Sequence, residues 1–174
     1  ALGERLQKMS ARQVALLPNA VNSYLFNPHR RYPVPLDWPE SEFHLIYIGA
    51  LWGEWFDWDL LRSIAHSYPQ AAVVIIGDYV GQCPDPPENL HFLGLKAQRT
   101  LPAYLAHSDV AIIPWKINEI TRATSPLKVY EYIAMHKPVI APELPTLHGI
   151  PAVHLAQDQQ AFIEQIDSLR SASV

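Results

Sequence analysis

Three observations predict an α/β domain built on a Rossmann-like, doubly wound parallel sheet. Short apolar runs alternate with amphipathic stretches of about ten residues, the pattern of strands joined by right-handed crossover helices. Some runs are apolar at every position, as in Ala71-Ala72-Val73-Val74-Ile75-Ile76, which fits strands covered by helices on both faces. The 174 residues are also enough for one hydrophobic core and too few for two comfortable ones.

The elements follow in order. Residues 1–12 read as a short polar helix, the end of a preceding domain or a linker, and Val14-Ala15-Leu16-Leu17 as a strand or extended segment closed by Pro18-Asn19. Pro28, Pro33, Pro35 and Pro39 remove backbone donors, so residues 27–42 are expected as a surface loop. Phe43 to Ile48 is a strand stopped by Gly49. Asp57 is placed to cap a helix carrying Leu60, Leu61, Ile64 and Ala65, which Pro69 ends. A strand at 71–77, a short one at 91–94, a helix over 99–107 and a strand at 110–114 come next. Residues 126–136 make a helix starting at Pro126 with Ser125 as its N-cap, and His136 and Lys137 close its C-terminus. Strands at 138–141 and 152–155 precede a final helix, 158–170, that buries Phe162, Ile163, Ile166 and Leu169.

Composition narrows the function classes. Thirteen Lys+Arg against seventeen Asp+Glu give a net charge of −4, which argues against a nucleic-acid partner. The single cysteine, Cys83, excludes an internal disulfide and fits a reducing, cytoplasmic setting. No apolar run approaches the length of a membrane span, and the N-terminus lacks the order of a signal peptide. The eight histidines show no HxxxH or HxH spacing, so no metal is expected, and no GxSxG nucleophile elbow occurs.

Ligands of such sheets bind outside the carboxyl ends of the strands, where three segments carry chemistry. Gly49 to Trp58 offers two glycines for close backbone approach, without a GxGxxG fingerprint. Its tryptophans, Trp52, Trp55 and Trp58, either stack on a ligand or pack beneath the next helix. Residues 118–128, read as a loop opening a helix, bring the hydroxyls of Thr121, Thr124 and Ser125 and the cations Arg122 and Lys128 to a helix N-terminus, an anion site suited to a diphosphate. Ser125 as a plain N-cap and Lys128 on a solvated face are the alternative. Glu131, one turn on, is either an acceptor for a ribose diol or the surface partner of Lys128.

A resemblance adds to this reading. Leu17-Pro18-Asn19-Ala20-Val21-Asn22 with Phe26-Asn27-Pro28, then Gly49 with Glu54-Trp55-Phe56-Asp57, resemble in order the second domain of family 4 glycosyltransferases. So do Ile76-Gly77, Phe92-Leu93-Gly94, Leu101 to Leu105, Asp109 to Pro114, Thr121 to Tyr132 and Lys137-Pro138-Val139-Ile140. Within that family the chain is most similar to bacterial enzymes of teichuronic acid and exopolysaccharide synthesis. The resemblance implies the C-terminal half of a GT-B fold, with residues 13–174 as the domain that holds a nucleotide-sugar donor. It implies sugar transfer with retention, without a metal or other cofactor, to a saccharide or lipid-linked acceptor held by an N-terminal domain. The full-length enzyme would be cytoplasmic or peripheral at the inner face of the membrane, and this chain alone inactive.

Carried over residue by residue, Glu131 matches the glutamate that holds the donor ribose. Arg122 and Lys128 fall beside the diphosphate, and Thr124, Ser125 and Leu127 at the backbone turn. Gly94, Leu95 and Lys96 match the stretch that meets the nucleobase, and Gly49 to Gly53 the phosphate side. The family's other glutamate position is Ala123 here, which leaves Glu119 as the candidate to contact the transferred sugar. Asn22 and the acidic, Trp-rich Glu54–Asp57 stretch are further departures. Two rival readings are a sugar-nucleotide epimerase, with Glu54 and Asp57 as its acid/base pair, and a non-enzymatic nucleotide or carbohydrate binding module using Trp52, Trp55 and Trp115 as platforms.

Overall fold

The computed structural model describes residues 7–9, 15 and 19–172. Most of the expected strand at 14–17 and most of the expected helix at 1–12 therefore lie outside the described residues. Six strands make one parallel sheet: β1 (His44–Ile48), β2 (Ala72–Ile76), β3 (Leu90–Phe92), β4 (Val110–Ile112), β5 (Val139–Pro142) and β6 (Val153–Ala156). Their spatial order is β3-β2-β1-β4-β5-β6, so the direction of winding reverses between β1 and β4. Register is continuous from His44 opposite Ala72 to Ile48 opposite Ile76, and Leu45 faces Val110 on the other side. All residues of β1, β2, β4 and β5 are buried, as continuous apolar runs require in a sheet covered twice.

The helices are α1 (Trp58–Ser67), α2 (Leu101–Ala106), α3 (Glu119–Ala123), α4 (Leu127–Ala134) and α5 (Gln159–Ala172). Asp57 caps α1, accepting from the Leu60 N–H at 3.0 Å. Leu60, Leu61, Ile64 and Ala65 turn its apolar stripe inward, and α5 buries Phe162 and Ile166, with Ile163 and Leu169 only partly covered. α4 ends in a Schellman motif: the Lys137 N–H reaches the Tyr132 carbonyl and the His136 N–H that of Ile133, with His136 at φ 57°.

Three expectations are corrected. The stretch 118–128 is not all loop, because Asn118 and Thr121 form a capping box that nucleates α3. The helix expected at 99–107 is a 3₁₀ turn over Gln98–Thr100 followed by α2, with Pro102 in its first turn. The N-cap of α4 is Pro126 rather than Ser125, and no side chain caps that end.

The proline-rich stretch is irregular, as expected, yet firmly seated. Trp38 stacks on His44 with ring centroids 4.8 Å apart, and Asp37 accepts from both Lys96 and Tyr104.

Candidate functional site

β1 and β2 run directly into glycine at the carboxyl edge and β3 reaches one two residues on, and their backbones continue the ladder past the strands. The Gly49 N–H donates to the Ile76 carbonyl at 2.9 Å and the Gly77 N–H to that of Gly94 at 3.2 Å. A Cβ on Gly77 would lie 2.1 Å from the Gly49 oxygen, and one on Gly49 would lie 2.5 Å from the Tyr47 hydroxyl. Gly94 needs its positive φ of 69° to turn the chain away from the sheet. Gly77 went unnoticed as a site residue, although its strand ends just as β1 does.

Tyr132 fixes the end of β1. Its hydroxyl accepts from the Ile48 N–H at 2.8 Å and donates to the Ile48 carbonyl at 3.2 Å, satisfying both groups beside Gly49. Complete burial pushes this phenol well above its ordinary value, so it stays protonated and able to donate.

A groove of about 240 Å³ runs over this edge, lined by Gly49, Gly77, Leu95, Lys96, Gln98 and Lys128 among others. Glu131 is buried beside it and accepts from the Lys128 ammonium at 2.9 Å and the Gln98 amide at 3.4 Å. Of the two readings of Glu131, the pairing with Lys128 is seen directly, and both of its donors, Lys128 and Gln98, line the groove. Lys96 turns to Asp37 at 2.6 Å, which raises the lysine above its ordinary value. Burial works against the Asp37 carboxylate, but the hydrogen bonds from Lys96 and Tyr104 prevail and hold it below the usual range. Leu95 is exposed, its side chain free above the groove.

The amino end of α4 faces the same groove. Pro126 supplies no side-chain cap; the Val129 N–H is taken by the Pro126 carbonyl at 3.2 Å, which leaves the N–H groups of Leu127 and Lys128 without a side-chain cap. The segment leading to it is tied down elsewhere: Asn19 donates to the Ser125 carbonyl at 3.1 Å and Thr146 to that of Thr124 at 2.8 Å. The expected hydroxyl cluster does not form. Thr121 is buried and spent on the capping box and the Lys116 carbonyl, and Thr124 bonds back to the Ile120 carbonyl. Arg122 and Glu119 are exposed on α3 and line neither of the grooves described here.

The tryptophans differ in their surroundings. Trp58 packs on Phe56 at 4.4 Å, whereas Trp55 and Trp115 meet edge to face at 4.9 Å and line a second hollow next to Lys128. Trp52 is 63% exposed, and Gly53 turns the chain at φ 96° between them. Asp57 serves as the cap of α1 and Glu54 is exposed. Among the described residues no group of three His, Cys, Asp or Glu side chains is placed to hold a metal ion, and no helix is long and apolar enough to cross a membrane.

Comparison with known proteins agrees with this geometry. The sequence profile described as Glycosyl transferases group 1 matches residues 42–171. No curated protein matches the sequence. Among solved structures, sucrose-phosphate synthase from Thermosynechococcus elongatus superposes with a TM-score of 0.67 at 20% identity, over 97% of this chain and 47% of that one. A glycosyltransferase from Rickettsia africae superposes with a TM-score of 0.66 at 16% identity, over 88% of this chain and 46% of the other. The trehalose 6-phosphate synthase of Burkholderia multivorans gives 0.54 at 13% identity, over 74% of this chain and 35% of its own. This chain therefore spans about half the length of the first two, and at such identities the likeness is one of fold.

Proposed function

Given that this chain belongs to the group 1 glycosyl transferases, we propose that it is the donor-binding half of a two-domain GT-B enzyme, the half that holds a nucleotide-diphosphate sugar. One observation carries the reading. At the point where the winding of the sheet reverses, the glycine-cleared end of β1 meets the N-terminus of α4, with Lys128 on the groove and buried Glu131 behind it, bonded to Lys128 and Gln98 of the lining.

Each part has a chemical task. The diphosphate lies between the Gly49 backbone and the first turn of α4, where open N–H groups and the helix dipole favour negative charge. Lys128 neutralises that charge as it grows on the departing nucleotide, in the role that a metal fills elsewhere, while Arg122 stays outside that groove on α3. Glu131 accepts from the ribose diol, and the backbone from Gly94 to Lys96 borders the base. Transfer proceeds with retention, in the cytoplasm, to a saccharide or lipid-linked acceptor held by the companion domain. Half a cleft neither orients an acceptor nor excludes water, so this chain alone binds donor and transfers nothing.

Calorimetric titration of the chain with UDP, GDP and ADP tests the proposal. One nucleotide binds saturably with no metal added. Glu131→Ala weakens that binding by at least about tenfold, roughly 1.4 kcal/mol. Lys128→Met weakens the diphosphate but spares the nucleoside. Saturable binding that neither substitution disturbs would remove the ligand from this groove.

A further inference from the structure

Beyond Lys128 the groove runs on into a second pocket of about 190 Å³, and Gly49 and Lys128 line both. Gln98 lines the first pocket, and its amide reaches Glu131. A nucleoside on that side, with its diphosphate at Gly49 and Lys128, directs whatever its outer phosphate carries into the second pocket.

The two linings differ in kind. The second is almost wholly apolar, walled by Tyr47, Trp55, Ile113, Trp115, Pro126 and Leu127. Two of its polar groups are already engaged: the Trp115 indole N–H donates to the Tyr47 hydroxyl at 3.2 Å and that hydroxyl donates to the Ala50 carbonyl at 3.0 Å. The walls are also braced by backbone. Phe56 and Trp115 form a bridge, the Asp57 N–H reaches the Pro114 carbonyl at 2.8 Å, and the Lys116 N–H reaches that of Trp55 at 2.7 Å. A pocket held open in this way meets its ligand as it stands.

On the reading that this chain holds a nucleotide-sugar donor, we infer that this second pocket seats the transferred sugar and selects one bearing a methyl-terminated group, an N-acetyl or 6-deoxy substituent, over the fully hydroxylated hexose. A hydroxyl pushed against these walls gives up its water and finds no partner, which disfavours it. A methyl gives up nothing and covers aromatic and aliphatic surface. Leu127, more than half exposed at the first position of α4, is the part of the wall that the ligand buries.

The test uses the nucleotide that binds best among UDP, GDP and ADP, and titrates the chain with that nucleotide's conjugates of glucose, N-acetylglucosamine and 6-deoxyglucose. At least one methyl-bearing conjugate binds fivefold or more tighter than the glucose conjugate, and which one does so identifies the substituent. In Leu127→Asn that ratio falls toward one. Equal affinity for all three conjugates, with the free nucleotide still bound, overturns this inference and leaves the donor site standing. If farnesyl phosphate then changes the tryptophan emission, the pocket belongs to a lipid acceptor instead. Failure of every nucleotide and conjugate to bind overturns the donor reading and this inference together.

Discussion

Lys128, in the first turn of α4, and Lys137, just past its other end, serve opposite edges of the sheet. At the amino edge Lys137 is half-buried and donates to the carbonyls of Ala106 and Ser108. Burial lowers its ordinary value, against the pull of Asp109. Its neighbours behave alike: the Asn89 amide serves the carbonyls of Ala65, Tyr68 and Ala71, and Asp109 accepts from the His44 N–H at 2.7 Å. At the carboxyl edge the charged groups meet one another, Lys128 with Glu131 and Lys96 with Asp37, above backbone stripped of side chains at Gly49 and Gly77. A side chain tied to backbone cannot be exchanged without breaking the fold. A pair of side chains can open and take a ligand between them. Similar residue types therefore make a brace at one edge and a receptive surface at the other.

The sharpest way to break that contrast is to cut one support at each edge. Asn89→Ala removes the amide shared by three carbonyls around the C-terminal end of α1. It should cost about 3 kcal/mol in urea unfolding, because three part-buried carbonyls lose a donor and only that of Tyr68 keeps another, the Ala71 N–H. Nucleotide affinity, measured under folding conditions, should not change. Tyr132→Phe strips both the N–H and the carbonyl of Ile48 of their partner and should cost about 2 kcal/mol. Here the nucleotide should also bind at least threefold more weakly, since the end of β1 that presents Gly49 is released. If Asn89→Ala disturbs binding as much as Tyr132→Phe does, the two edges are not independent.

The sheet and its helices were legible because their signals are local and periodic: the apolar run of β2, the stripe of α1 with Asp57 before it, and glycine after β1. That Gly49 and Lys128 share one groove was legible because a strand end and a helix start point to the same edge in any doubly wound sheet. The errors have a common cause. Thr121 and Ser125 were assigned by composition, but a capping box and a proline decide which atoms stay free, and both depend on which residue leaves the helical turn first. Asp37 and Tyr132 were missed because their partners lie 59 and 84 residues away. Nothing in the spacing around a proline-rich loop announces that one carboxylate in it will hold Lys96.

That carboxylate allows a smaller test, in which Asp37 and Asp109 are compared by pH. Burial opposes both charges, yet hydrogen bonds from Lys96 and Tyr104 to one, and from His44 to the other, hold both below the ordinary value of 3.8. A carboxyl lowered on folding takes up its proton first in the unfolded chain. Its contribution to stability is complete above its unfolded value and drains away as pH falls through its folded one. Asp109→Asn should therefore lower stability by about 1 kcal/mol near neutrality, the worth of a hydrogen bond to a strand terminus, and the deficit should close below pH 3.8. Asp37→Asn should follow the same curve at less than about 0.5 kcal/mol, since its pair with Lys96 is partly solvated and screened. Raising the salt concentration should shrink the Asp37 effect and leave that of Asp109 nearly intact, because screening acts on exposed pairs and not on a bond to buried backbone. Equal costs for the two substitutions, equally insensitive to salt, would mean that the carboxyl edge is braced as rigidly as the amino edge, and its side-chain pairs would then be no easier to open than the backbone bonds of Lys137.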